Sequence, residues 1–133
     1  MNKILNISEA VTIAIHGMVS IAASSDRMNV GMLAMHTKFS RNHIAKVLNQ
    51  LVKHGFLLSE RGPTGGFNLA READRISLLE IYESIEGSLD PAVCDPRCDL
   101  CLAHGCVFGG LSHKFQREFR DYLRNTTLRD IIK

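Results

Sequence analysis

Apolar residues return at helical intervals from the start of the chain. Val11, Ala14, Ile15, Met18 and Ala22 form one stripe, and Ser8 with Glu9 ahead of them reads as a helix start. This pattern predicts a helix over about residues 8–24 with one buried face. Residues 24–29 are polar and read as a loop, and Val30–His36 follows as a short helix with Leu33 and Ala34 inward. Thr37, Lys38 and Phe39 make a turn, and Ser40 is suited to cap a second helix running to about His54. In that helix Ile44, Val47, Leu48 and Leu51 face a core, while Arg41, Asn42, Ala45, Lys46, Asn49 and Lys53 lie opposite. Gly55 supplies the stop.

A helix, a short turn and an amphipathic helix with a basic outer face is the layout of a helix-turn-helix, although a plain helical hairpin with a charged exterior shares it. The next segment separates the two. Phe56–Ser59 reads as a strand and Phe67–Leu69 as its return, joined by Glu60-Arg61-Gly62-Pro63-Thr64-Gly65-Gly66. Three glycines and a proline make that link a tight hairpin tip carrying the cation Arg61. A hairpin directly after a helix-turn-helix is the wing of a winged helix, a shape that follows the flank of a DNA duplex. The glycines lack the spacing of a phosphate-binding loop.

Ser77 caps a further predicted helix bearing Leu78, Leu79, Ile81, Tyr82 and Ile85, ending at Gly87. Its acids Glu80, Glu83 and Glu86 open a negative stretch with Asp90, Asp95 and Asp99, which is expected to face away from DNA. Near the end, Leu111, Phe115, Phe119 and Leu123 recur every four residues, widened by Phe108 and Tyr122. A helix this apolar outside the winged unit needs a cover, either a second copy of itself or the Met18 helix. The fold expected is mainly α with a small β-hairpin: a winged helix-turn-helix domain over residues 1–75, then residues 76–133 with a cysteine loop (88–110) and a long dimerisation helix.

Charge sharpens this picture. Residues 1–75 hold nine Lys/Arg against five Asp/Glu, whereas residues 76–133 hold seven against nine. Between residues 36 and 61 the cations are Lys38, Arg41, Lys46, Lys53 and Arg61 against Glu60 alone, with His36, His43 and His54 among them. Such a bias is commonly a solvated face, and becomes a polyanion site only where the architecture presents it. The 133 residues, 45% hydrophobic and 23% charged, suit a globular protein with a real core. The apolar runs are too short for a membrane span, and the first residues, MNKILNISEA, lack the pattern of a secretion signal. A cytoplasmic location is expected.

All four cysteines, Cys94, Cys98, Cys101 and Cys106, fall within thirteen residues broken by proline and glycine. In a reducing compartment clustered thiols point to a metal or to redox chemistry before structural disulfides. Thiolates suit zinc, copper(I) and iron–sulfur clusters. His16, beside the first apolar stripe, is either a partly buried residue with its hydrogen bond satisfied or a metal ligand. No nucleophile–base pair, paired-carboxylate motif or cofactor fingerprint argues for an enzyme.

These stretches resemble the IscR/NsrR/RirA family of bacterial winged-helix transcription regulators, essentially end to end. The resemblance rests on SEAVTIAIHGM, LNQLVKHGFL, RGPTGGFNL, ISLLEIYESIEG, the cysteine loop and the closing TLRDII. It implies a homodimer on double-stranded, pseudo-palindromic promoter DNA, with an iron–sulfur cluster in each loop whose state sets DNA affinity. The expected DNA contacts are Ser40, Arg41, Asn42, His43 and Lys46 on the second helix of the motif, with Arg61 and Thr64 on the wing. Leu111, Phe115, Phe119 and Leu123 are the expected dimerisation stripe.

Cluster-binding members of that family present three cysteines in this loop. Cys94 and Cys106 are placed like the outer two, and Cys98 and Cys101 bracket the middle position. Either [2Fe–2S] or [4Fe–4S] is chemically reasonable, held by four cysteines or by three and a further ligand. In some relatives that ligand is a Glu, Asp or His on the partner subunit's N-terminal helix. Thr12 and His16 stand nearest to such positions; Thr12 is a poor ligand and His16 a plausible one, with His104 and His113 as local competitors. A structural zinc site or a disulfide switch are the alternatives for the same thiols.

Overall fold

The computed structural model describes residues 7–89 and 110–132, which are mainly helical with one two-stranded antiparallel hairpin. Helix α1 (Glu9–Ala23) is the centre of packing. Helices α3 (Arg41–Lys53), α4 (Leu78–Glu86) and the C-terminal α6 (Leu128–Ile132), with strand β2 (Gly66–Leu69), all touch it. Neighbours on several sides bury Ile13 and Ile21 along with Val11, Ala14 and Met18, while Ile15 and Ala22 are only half-covered. The single stripe expected from spacing is therefore too narrow; a helix surrounded by others needs apolar residues around more of its girth. Ser8 caps α1 by accepting from the Val11 N–H at 3.2 Å, and its hydroxyl donates to the Glu86 carboxylate at the end of α4.

Helix α2 (Val30–Met35) begins at Asn29, whose side chain accepts from the Met32 N–H at 2.8 Å. Ser40 starts α3 in the same way, accepting from the His43 N–H at 3.1 Å. At the other end Gly55 takes φ +83°, and the N–H groups of Gly55 and Phe56 return to the carbonyls of Val52 and Leu51 at 3.0 Å each. Those bonds satisfy carbonyls that a helix end leaves open. The reversal carries Phe56 and Leu57 into the core and launches the hairpin.

Strand β1 (Leu57–Glu60) pairs with β2 in the register Leu57–Leu69, Leu58–Asn68, Ser59–Phe67 and Glu60–Gly66. Both strands lie within one residue of their expected positions. Met28 departs from its reading as loop: it exchanges two backbone hydrogen bonds with Phe67, at 3.3 and 2.8 Å, and adds a one-residue third edge. A single bridging residue leaves no alternation for a sequence to display.

Helix α4 opens with a reciprocal cap. Ser77 accepts from the Glu80 N–H, and the Glu80 carboxylate accepts from the Ser77 N–H at 3.0 Å. Arg71 lies over the Phe56 ring at 5.6 Å and donates to the Glu80 carboxylate at 3.1 Å. Partial burial alone would raise the Glu80 pKa. The Ser77 N–H and the Arg71 guanidinium outweigh it and hold the carboxyl below its ordinary value.

The C-terminal tail returns to this point. Beyond α5 (Leu111–Asn125), Thr127 bridges to Ser77, with Leu78 N–H to Thr126 O at 2.9 Å and Leu128 N–H to Ile76 O at 3.0 Å. Leu128 and Ile76 are fully buried, each contributing about 1.5–3 kcal/mol by removal from water. One core thus runs from α1 and α3 through Leu79, Ile81 and Tyr82 to Leu123 and Leu128.

Candidate nucleic-acid interface and cysteine site

The side of α3 away from the core carries Asn42, Lys46, Asn49 and Lys53, spaced three and four residues apart and all exposed. No acid interrupts the helix, so the outward row is positive and rich in amide donors. Arg41 is exposed at the edge toward α2, where its guanidinium approaches Gly31. Ser40 is exposed, and its hydroxyl oxygen is engaged as the cap. His43 lies on the opposite edge, its Nδ1 3.7 Å from the Glu9 carboxylate of α1. Of the five residues expected on this helix, Asn42 and Lys46 share the outward row and His43 turns toward α1. Asn49 and Lys53 extend that row, on the polar side that their spacing assigns them.

The wing tip, residues 61–65, is tightened by a Gly65 N–H to Gly62 O bond of 2.9 Å. Arg61 and Thr64 are exposed there. A residue outside the expected set joins them: Arg27 forms a 2.8 Å ion pair with Glu60 at the root of the tip. The Met28–Phe67 bridge brings residue 27 beside the wing.

His16 is exposed on α1. With His36, Thr37 and Phe39 it lines a cavity of about 220 Å³ backed by Leu33 and Ile44. Cys94, Cys98, Cys101, Cys106 and His104 lie outside the described residues. Beyond α4, Leu89 is the last residue described before the cysteines, buried and held by its N–H to the Glu83 carboxylate at 2.8 Å, and the description resumes at Gly110 ahead of α5. Among the described residues no three His, Cys, Asp or Glu side chains gather as a metal site.

The apolar stripe of α5 divides. Leu123 is buried, and Phe119 packs on the same core with its ring edge-on to Tyr82. Leu111 (48% exposed), Phe115 (45%) and Tyr122 (57%) line a separate outer strip. Ser112 and Gln116 are buried on the inner side. Every-fourth-residue spacing defines a broad apolar arc and is silent on which neighbour covers each part. Among the described residues no helix is long and apolar enough to cross a membrane.

Comparison with known proteins agrees with this geometry. IscR of Xenorhabdus nematophila, an HTH-type transcriptional regulator, is 27% identical over 135 residues, spanning 96% of this chain and 74% of that one. The structure of CymR, the global cysteine regulator of B. subtilis, superposes with a TM-score of 0.79 at 22% identity, covering 96% of each chain. That of T. potens IscR gives 0.72 at 24% identity, over 96% of this chain and 86% of the other. The fold is therefore that of winged-helix regulators. Residues 7–133 match the profile described as Rrf2, iron-dependent transcriptional regulator, and the chain belongs to the Rrf2 family.

Proposed function

We propose that this transcriptional regulator binds promoter DNA as a homodimer and that its affinity is set by an iron–sulfur cluster held by Cys94, Cys106 and at least one of Cys98 and Cys101. The observation carrying the reading is the union, in one short chain, of an acid-free outward row on α3 with four thiols confined between Leu89 and Gly110. Asn42 and Lys46, with Arg41 and Ser40 at the helix start, meet base edges and phosphates of the major groove. Arg61 and Thr64 follow the adjoining backbone. Leu111, Phe115 and Tyr122 form the outer strip that a second copy covers.

The donor set fits such a group: four soft thiols within thirteen residues satisfy three-cysteine or four-cysteine ligation. When bound, the cluster supplies a redox- and oxygen-sensitive centre. The chain's own residues link the thiol segment to DNA. That segment follows Leu89, three residues beyond α4, and α4 touches α3 through a Gln50 side-chain N–H donated to the Ser84 carbonyl at 3.2 Å. The Ser8 hydroxyl ties α1 to Glu86, the last residue of α4. Loading or loss of the cluster would act next to α4, a helix in contact with both α1 and α3. This is a difference between two states, as a switch requires.

His16 is the further ligand we assign to the partner's cluster, being an accessible imidazole on the N-terminal helix. Anaerobic purification with iron, acid-labile sulfide and zinc analysis tests the cofactor. Iron and sulfide with visible absorption that is lost in Cys94→Ala and Cys106→Ala support it. Stoichiometric zinc in colourless protein, or metal-free protein with reversible disulfides, refutes it. A spectrum and cluster lifetime unchanged in His16→Ala remove only the cross-subunit ligand.

A further inference from the structure

Glu60 is the lone acid within the basic run 36–61 and directly precedes Arg61. An uncompensated carboxylate there would oppose the approach of phosphates to the wing. The structure shows its compensation. Arg27 Nη2 is 2.8 Å from Glu60 Oε2, and Arg27 Nη1 donates to the Thr64 carbonyl at 3.5 Å across the tip. One guanidinium thus meets the end of β1 and the far side of the tip.

The backbone places it there. Met28 and Phe67 exchange two hydrogen bonds, and the Arg27 side chain leaves from the residue before. Gly66 admits this approach: a Cβ on it would come within 2.7 Å of the Met28 carbonyl oxygen and 3.3 Å of Arg27 Cβ. Gly66 also has φ +147°, which disfavours a side chain independently.

We propose that Arg27 is a positioning residue for DNA binding, which neutralises Glu60 and holds the wing tip so that Arg61 alone sets the charge the duplex meets. It acts through Glu60 without touching the DNA. The inference rests on the reading of the wing as a DNA contact.

The experiment measures affinity of full-length protein for a duplex selected by the wild type from a randomised pool, at fixed low salt. Arg27→Ala is expected to weaken binding about three- to tenfold, an effect that shrinks as salt rises. Glu60→Gln is expected to bind at least as well as wild type. The double variant Arg27→Ala/Glu60→Gln, whose local net charge equals that of wild type, should return to within about twofold of it. Melting temperatures should move only slightly, because the pair is exposed, at 35% and 57% for its two side chains. Wild-type binding by Arg27→Ala overturns the proposal. So does a double variant no better than Arg27→Ala, since Arg27 would then be touching phosphate itself. Arg61→Ala separates the premises: it should bind weakly, and wild-type binding by it would remove both the wing contact and this inference.

Discussion

Tyr82 of α4 and Phe119 of α5 meet edge to face, with ring centroids 5.8 Å apart and planes at 83°. Aromatic pairs favour this geometry, which adds about 0.5–1.5 kcal/mol beyond the area buried. The contact clamps together the two helices that flank the cysteine segment.

The divided face of α5 gives residue-specific expectations. Phe119→Ala should destabilise the folded chain by about 2–4 kcal/mol, between a partly and a fully buried aromatic truncation. Phe115→Asp should leave folding nearly intact and instead shift sedimentation from dimer to monomer. A stable Phe115→Asp dimer would place the interface elsewhere.

On α3 two kinds of contact should separate. Lys46→Ala should lower the log–log salt slope of binding by roughly one, as for a lost phosphate contact. Asn42→Ala should relax sequence preference by about 1–3 kcal/mol at one base pair. Filter-binding titrations over a salt series with variant duplexes distinguish the two. If neither changes, this helix is not the reader.

Helix α3 was legible because every local signal agreed: Ser40 and Gly55 bound it, and Ile44, Val47, Leu48 and Leu51 share one face. The hairpin was legible from its proline and glycines. The Arg27–Glu60 pair was not, because its placement depends on the one-residue Met28–Phe67 bridge between segments almost forty residues apart. The division of the α5 stripe was hidden for a related reason: Leu123 and Phe115 look alike in sequence until α4 selects which is covered. The cysteines are plain as a donor set, and their spacing leaves Cys98 and Cys101 equivalent.

Acid should weaken the start of α4. The folded state lowers the Glu80 pKa, so its contribution is fully present above the unfolded-state value and is lost as pH falls through the folded-state value. Glu80→Gln should lower the melting temperature at neutral pH and flatten its decline on the acid side. Ser77→Ala, which removes the other half of the cap, should cost about 0.5–2 kcal/mol. An unaltered acid limb in Glu80→Gln would show that other carboxylates govern it.

The most direct test compares one preparation before and after removal of its iron, on one selected duplex at one salt concentration. The iron–sulfur form and the apoprotein should differ in dissociation constant by roughly 5- to 150-fold, a coupling of ordinary size. Cys94→Ala and Cys106→Ala should both show the apoprotein value. Equal affinity of loaded and apo protein for every duplex selected by either form, with the cluster demonstrably present, would contradict cluster control of DNA binding.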